Sequence, residues 1–124
     1  MKDDWYSPKE IKFTRRQVLF LIKNLRTLQL GVWPTDFSHY IDQPIGKRTG
    51  KKRGYFETPV EYAAEIMIRL ERAGLDGLIL EAIECWEKSV ASMAAYFRLQ
   101  EWTIAKRRKQ GLAFVSGWKR RDKH

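Results

Sequence analysis

Apolar residues recur along this chain at helical rather than strand spacing. Val18, Leu21, Ile22, Leu25 and Leu28 stand three and four positions apart, which lines one face of a helix. Just before them, Thr14-Arg15-Arg16-Gln17 pairs a hydroxyl with an amide three residues on, so that each can satisfy a free N–H of a helix start. Gly31 is placed to end the element. One helix is expected from Arg15 to Leu30, and Ser7-Pro8-Lys9-Glu10 shows the same start pattern upstream. A second helix is expected after Thr58-Pro59-Val60-Glu61, which combines a capping threonine, a proline at the first helical position and a glutamate three residues after the cap. Ala63, Ala64, Met67, Ile68 and Leu70 follow, Gly74 stops the run, and Glu65 with Arg69 forms an i,i+4 pair in the favoured order. A third helix is expected from near Asp76 to about Lys88, with Leu78, Ile79, Ala82, Ile83 and Trp86 as its apolar face. Period-two alternation is absent, so the fold class is all-α.

Residues 31–57 break the pattern. Trp33-Pro34, Gln43-Pro44, Gly46, Gly50 and Gly54 punctuate a stretch without periodicity, and irregular stretches of this length are often functional. Its tip, 46–54, is bracketed by glycines and carries Lys47, Arg48, Lys51, Lys52 and Arg53. It lacks the spacing of a phosphate-cradling nucleotide loop and no apolar strand precedes it. Five cations there suit phosphate contacts, which add salt dependence rather than sequence choice.

Residues 89–118 read as two short helices crossing steeply. Such a pair needs a small residue at the crossing and apolar residues to pin the angle. Ala94 or Ala95 fits the crossing, and Met93, Phe97, Leu99 and Ile104 fit the pinning positions. Gln100, Glu101, Trp102 and Thr103 then form the turn and the first exposed turn of the second helix, followed by Lys106, Arg107, Arg108, Lys109 and Gln110. Leu112 and Val115 return that helix to the core. An N-terminal part that reaches base edges, flanked by cations, is what a major-groove reading helix requires.

The charge distribution sharpens this reading. The formal net charge of the 124 residues is +9, but residues 46–56 carry +5 and residues 101–124 carry +6, whereas residues 57–88 carry −5. Excess charge gathered in two blocks suits a polyanionic partner. The acidic band itself (Glu57, Glu61, Glu65, Glu71, Asp76, Glu81, Glu84, Glu87) is expected to be a solvated face, since no histidine supports a metal-dependent nuclease there. The single cysteine, Cys85, excludes an internal disulfide, and His39 and His124 are too few and too far apart for a structural zinc or a catalytic base. Cys85 is expected to be a buried, inert thiol, and most of the five tryptophans to be core anchors, with Trp102 the exposed one. No enzyme activity, metal or cofactor is expected. The opening Met1-Lys2-Asp3-Asp4 is polar, and the longest apolar runs are four or five residues. About 20 would be needed to cross a bilayer, so a cytoplasmic protein with no membrane partner is expected.

Residues 89–118 resemble the promoter-reading helix-turn-helix of bacterial sigma factors, their fourth region, and of small phage late-transcription regulators built on it. In that family an alanine of the first helix is followed by an apolar residue, a short turn, and a threonine-valine or threonine-isoleucine pair opening the reading helix. Ala94, Leu99, Thr103 and Ile104 occupy those places. Arg98 stands where a glycine is common in the turn, and Arg108 where an apolar residue normally packs. The first ninety residues do not match a sigma-factor core, so a promoter-selecting role does not follow. The resemblance implies that Gln100, Glu101, Trp102, Thr103, Lys106 and Arg107 face DNA.

The sequence therefore predicts a compact helical bundle over 1–124 with a C-terminal helix-turn-helix at 89–118, a long basic loop and a basic tail at 119–124. The predicted function is sequence-specific recognition of double-stranded DNA by a phage-type transcriptional regulator. Lys109 and Gln110 join the six residues just named, while the loop cations and Lys119, Arg120 and Arg121 hold phosphates. Further partners would be RNA polymerase or a phage protein, and a homo-oligomer is compatible with the sequence. The alternative within the same chemistry is the DNA-recognition subunit of a packaging or recombination machine. The alternative outside it is a helical protein-interaction module using the acidic helices.

Overall fold

The computed structural model describes residues 11–41 and 56–117, and among these the chain forms seven helices and no strand. They are α1 (Arg15–Lys23), α2 (Leu25–Gln29), α3 (Phe37–Tyr40), α4 (Pro59–Arg72), α5 (Leu75–Glu84), α6 (Val90–Phe97) and α7 (Glu101–Ser116). The loop tip at 46–54, the tail at 119–124 and the start pattern at Ser7–Glu10 lie outside the described residues. No described helix is long and apolar enough to cross a membrane.

Helix starts follow local chemistry. Thr14 and Thr58 each accept the backbone N–H three residues on, and Gln17 and Glu61 reach back to the cap N–H groups, completing both capping boxes. The expected single helix from Arg15 to Leu30 divides at Asn24, whose side-chain amide donates to the Phe20 carbonyl at 2.9 Å. That bond competes with the backbone ladder and resets the helix. Gly31 then takes a left-handed φ of 81° and turns the chain away. Helix α5 ends at Glu84, short of the expected Lys88, and Glu87 adopts a φ of 58° beyond it.

The aperiodic stretch is partly structured. Pro34 accepts the Phe37 N–H, Asp36 takes a left-handed φ of 67°, and α3 makes one turn. Ring contacts rather than a repeating pattern hold it. Phe37 packs on Trp33 at 4.6 Å and on Tyr62 at 5.2 Å, and Tyr40 stacks on Phe20 at 4.4 Å.

The core has two parts joined by α5 and α7. The larger gathers Val18, Leu21, Ile22, Leu25, Leu28, Tyr62, Ile66 and Leu70 with Leu80, Leu112 and Val115. The smaller gathers Ile79, Met93, Ala94 and Ile104, with Phe97 and Leu99 packed against them. Ile79 and Leu80 thus send one helix into both parts. Ala94, not Ala95, is the small residue at the α6–α7 crossing, and the four expected pinning residues all pack there.

Ions run through this interior. The Arg69 Nε donates to Glu65 Oε2 at 2.8 Å, with both side chains 8% exposed. Its Nη1 donates to the Val115 carbonyl at 2.7 Å and its Nη2 to the Ile11 carbonyl at 2.6 Å. Phe13 N–H donates to the Ser116 carbonyl at 3.0 Å. The last carbonyls of α7, which a helix leaves without partners, are therefore met by a cation and a backbone donor from the start of the described chain. The expectation of a solvated acidic band fails at Glu65, Asp76 and Glu84, all buried at the side chain. Each is matched by an arginine, and it is the matching that makes burial affordable. Of the tryptophans among the described residues, Trp33 and Trp86 are not core anchors but about as exposed as they are covered, and Trp102 stands in solvent as expected; Trp5 and Trp118 lie outside the described residues. Trp86 lies outside α5 and carries the Arg26 guanidinium over its ring. Cys85 is partly rather than fully buried; burial and then Glu81 push its thiol up, against a smaller lowering by Arg26.

Candidate nucleic-acid interface

The α6–α7 pair is built from local signals. Ser89 caps α6 by accepting the Ser92 N–H at 3.0 Å. Arg98 ends α6 in the left-handed region at φ 60°, and the Leu99 N–H returns to the Ala94 carbonyl at 3.0 Å. This is a Schellman-type ending, with Leu99 supplying its customary apolar contact. Arg98 therefore occupies the turn position where only backbone freedom, not chemistry, favours glycine. Gln100 opens α7 with extended backbone, and its side chain accepts the Trp102 indole N–H at 2.7 Å instead of capping the helix. Glu101 lies in the first turn, where a negative charge suits the helix dipole.

Along α7 the side chains divide cleanly. Glu101, Trp102, Lys106, Lys109 and Gln110, with Ala105 between them, face solvent as one stripe. Trp102 is 64% exposed. Thr103 is half-buried beside the stripe. Ile104, Gly111, Leu112 and Val115 face the core. Gly111 allows α7 to lie against the backbone of Asp76, so closely that a Cβ there would stand 2.6 Å from the Asp76 carbonyl oxygen.

Arg107 and Arg108 turn inward. The Arg107 Nη1 meets Asp76 Oδ1 at 2.9 Å, and its Nε is buried without an acceptor among the described residues. The Arg108 Nε donates to Glu84 Oε2 at 2.7 Å and its Nη2 to the same oxygen. Lys23 of α1 reaches the other Glu84 oxygen at 3.8 Å. Arg108 thus fills the place of an apolar packing residue by pairing with a buried acid. Arg107, expected on the outward face, is 38% exposed at its side chain and also braces α7 to α5 through Asp76. Burial is the physical reason: Asp76 is enclosed, and an enclosed carboxyl group is favourable only when hydrogen-bonded.

Compared with protein-family models, curated proteins and solved structures, the chain has no match. Six expected residues, Gln100, Glu101, Trp102, Lys106, Lys109 and Gln110, share one exposed surface, with Thr103 at its edge. Arg107, 38% exposed at its side chain, borders that surface while pairing with Asp76. Lys47, Arg48, Lys51, Lys52, Arg53, Lys119, Arg120 and Arg121 lie outside the described residues. Two residues the sequence reading missed belong to the same end of the molecule. Arg98 is exposed in the turn, and Tyr96 is 79% exposed on α6. The signal for Tyr96 was its place off the buried spacing set by Met93, Ala94 and Phe97. Among the described residues, no group of three or more histidine, cysteine or acidic side chains could hold a metal.

Proposed function

We propose that the protein binds double-stranded DNA in a sequence-specific way, with α7 in the major groove, and acts as a transcriptional regulator of phage type. The observation that carries this reading is the outward stripe of Trp102, Lys106, Lys109 and Gln110 on a helix anchored along its whole inner face. Side chains of this kind match groove chemistry. Lysine suits guanine O6 and N7, glutamine pairs with adenine through two bonds, and a carboxylate such as Glu101 accepts from cytosine N4. Arg98 lies beside the stripe as a phosphate contact, and Lys109 within it can serve the same way, positioning without specifying. The left-handed turn at Arg98 supports the alignment with the sigma-factor-like motif, since that is where the family commonly has glycine.

A selection from random duplexes at physiological salt, read by sequencing, tests recognition and preference together; a full chain that enriches no duplex overturns the proposal. On the selected site, Lys106→Ala with Lys109→Ala should weaken binding at least about tenfold. If both lysines meet phosphates, the slope of log affinity against log salt should also flatten by about 1.8. Unchanged affinity in that variant would remove α7 from the interface.

A further inference from the structure

The first turn of α7 is arranged differently from the capped helix starts. Thr14, Thr58 and Ser89 each turn a side-chain oxygen onto their own helix, closing α1, α4 and α6. Gln100 makes no such bond, and its side chain instead accepts the Trp102 indole N–H at 2.7 Å. Both residues are exposed, so the bond adds little net stability, and its consequence is orientation. An indole N–H only donates, which assigns the bonded atom of Gln100 as its carbonyl oxygen. The amide Nε2 is left as a donor without a partner among the described residues. Side by side in solvent stand this open donor and an indole ring, 64% exposed, whose one polar group is already satisfied.

We infer that Gln100 and Trp102 together read one thymine of the bound duplex, an inference that rests on the DNA-binding reading above. On the major-groove edge, thymine is the base that sets a methyl group beside an acceptor, O4. The indole covers the methyl, an apolar contact that takes both out of water. The Gln100 Nε2 donates to O4. Other bases match the pair less well. Cytosine presents an amine to Nε2, donor against donor, and no methyl. Glutamine reads adenine through two bonds, one of which needs the oxygen that Trp102 engages. Guanine offers acceptors but nothing apolar to the ring. Glu101, exposed between the two residues, is repelled by phosphate, so this turn of α7 suits base edges over backbone.

Competition binding of the full chain to the selected duplex, with each thymine in turn replaced by deoxyuridine, tests the inference. Uracil lacks only the methyl. At one thymine the replacement should weaken binding about fourfold, the effect of one buried methyl group, and a duplex indifferent to uracil at every position overturns the inference. Trp102→Ala, its helicity checked by circular dichroism, should bind the parent duplex more weakly and no longer distinguish thymine from uracil. A preserved fourfold difference overturns the inference. So does unchanged affinity, the result expected if Trp102 faces a partner protein instead. At the same position 5-methylcytosine keeps the methyl and puts an amine where O4 stood, so binding should fall at least about tenfold. Gln100→Ala should lose most of that discrimination; full discrimination in the variant overturns the role of Gln100. Tighter binding to either separated strand than to the duplex, with Trp102 stacking on bases, overturns the inference as well. A chain that selects a duplex through Lys106 and Lys109 but ignores uracil leaves DNA binding standing, whereas one that selects no duplex removes both.

Discussion

Replacing Gly111 with alanine sets two effects of known size against each other. In an exposed helix interior the change stabilises by about 1 kcal/mol, because glycine loses more backbone freedom on folding. At Gly111 the added Cβ would stand 2.6 Å from the Asp76 carbonyl oxygen and 3.0 Å from its carbon. Even a favourable C–H···O contact holds its carbon at roughly 3.3–3.6 Å, so α5 and α7 must separate by about 0.7 Å. The obstructing atoms are backbone, so no rotamer relieves them. Overpacking of this kind costs about 1–3 kcal/mol. The separation also loosens Arg107 from Asp76, at the same crossing. The net expectation is a loss of about 1–2 kcal/mol, or a fall in Tm of about 4–8 °C for a chain of this length. Thermal and urea unfolding followed by circular dichroism measure it, with the exposed Gln110→Ala as the neutral control. Gly77→Ala should be worse, since its Cβ would stand 2.0 Å from the Leu70 carbonyl oxygen. A Gly111→Ala chain as stable as the parent would refute the close α5–α7 crossing and, with it, the direction in which the α7 stripe is aimed.

Arg69→Ala should destabilise by about 3–5 kcal/mol, as it leaves buried Glu65 without its cation. Pairing it with Glu65→Leu should recover part of that loss in urea unfolding; equal losses in the single and double variants would show that the ion pair is not the cause. Arg107→Ala should cost about 1–2 kcal/mol by removing the cation paired with buried Asp76, whereas Lys106→Ala should stay within about 0.5 kcal/mol, and the reverse order would contradict that pairing. Cys85 should alkylate with iodoacetamide more slowly at pH 8 in the folded chain than in urea. Its raised pKa keeps it protonated there, so the folded rate should keep climbing as pH rises; equal rates at pH 8 would contradict the burial.

What was legible in the sequence was what local chemistry decides. Thr14 with Gln17 and Thr58 with Glu61 need only their own neighbours, and both caps form where the pattern puts them. The α6–α7 pair was legible for the same reason, down to Gln100 at the start of α7 and Ile104 beneath it. Glu65 and Arg69 were legible as a pair but not as a buried one, because burial depends on the Ile11 and Val115 carbonyls, distant along the chain. Arg107 and Arg108 escaped in the same way: a run of cations reads as a solvated face until the acids of α5 are set against it. Helix α3 carries no periodicity, since rings from α1 and α4 fix it rather than a stripe of its own.

The inward arginines bear directly on what α7 can do. A helix turns by about 100° per residue, so a slip of one position in its seating would carry Lys106 to Asp76 and lift Ile104 into water. Two ion pairs on adjacent residues, each to a different acid of α5, together with the Gly111 contact, leave one rotation that satisfies all three. Isolated buried pairs contribute little net stability, but breaking one is costly, and that asymmetry is what discriminates between seatings. Lys106, Lys109 and Gln110 face outward in the seating that lets Arg107 and Arg108 reach the acids of α5. Under the proposed DNA binding, contacts held within a fraction of an ångström matter more than two further charges in solvent, where salt screens them.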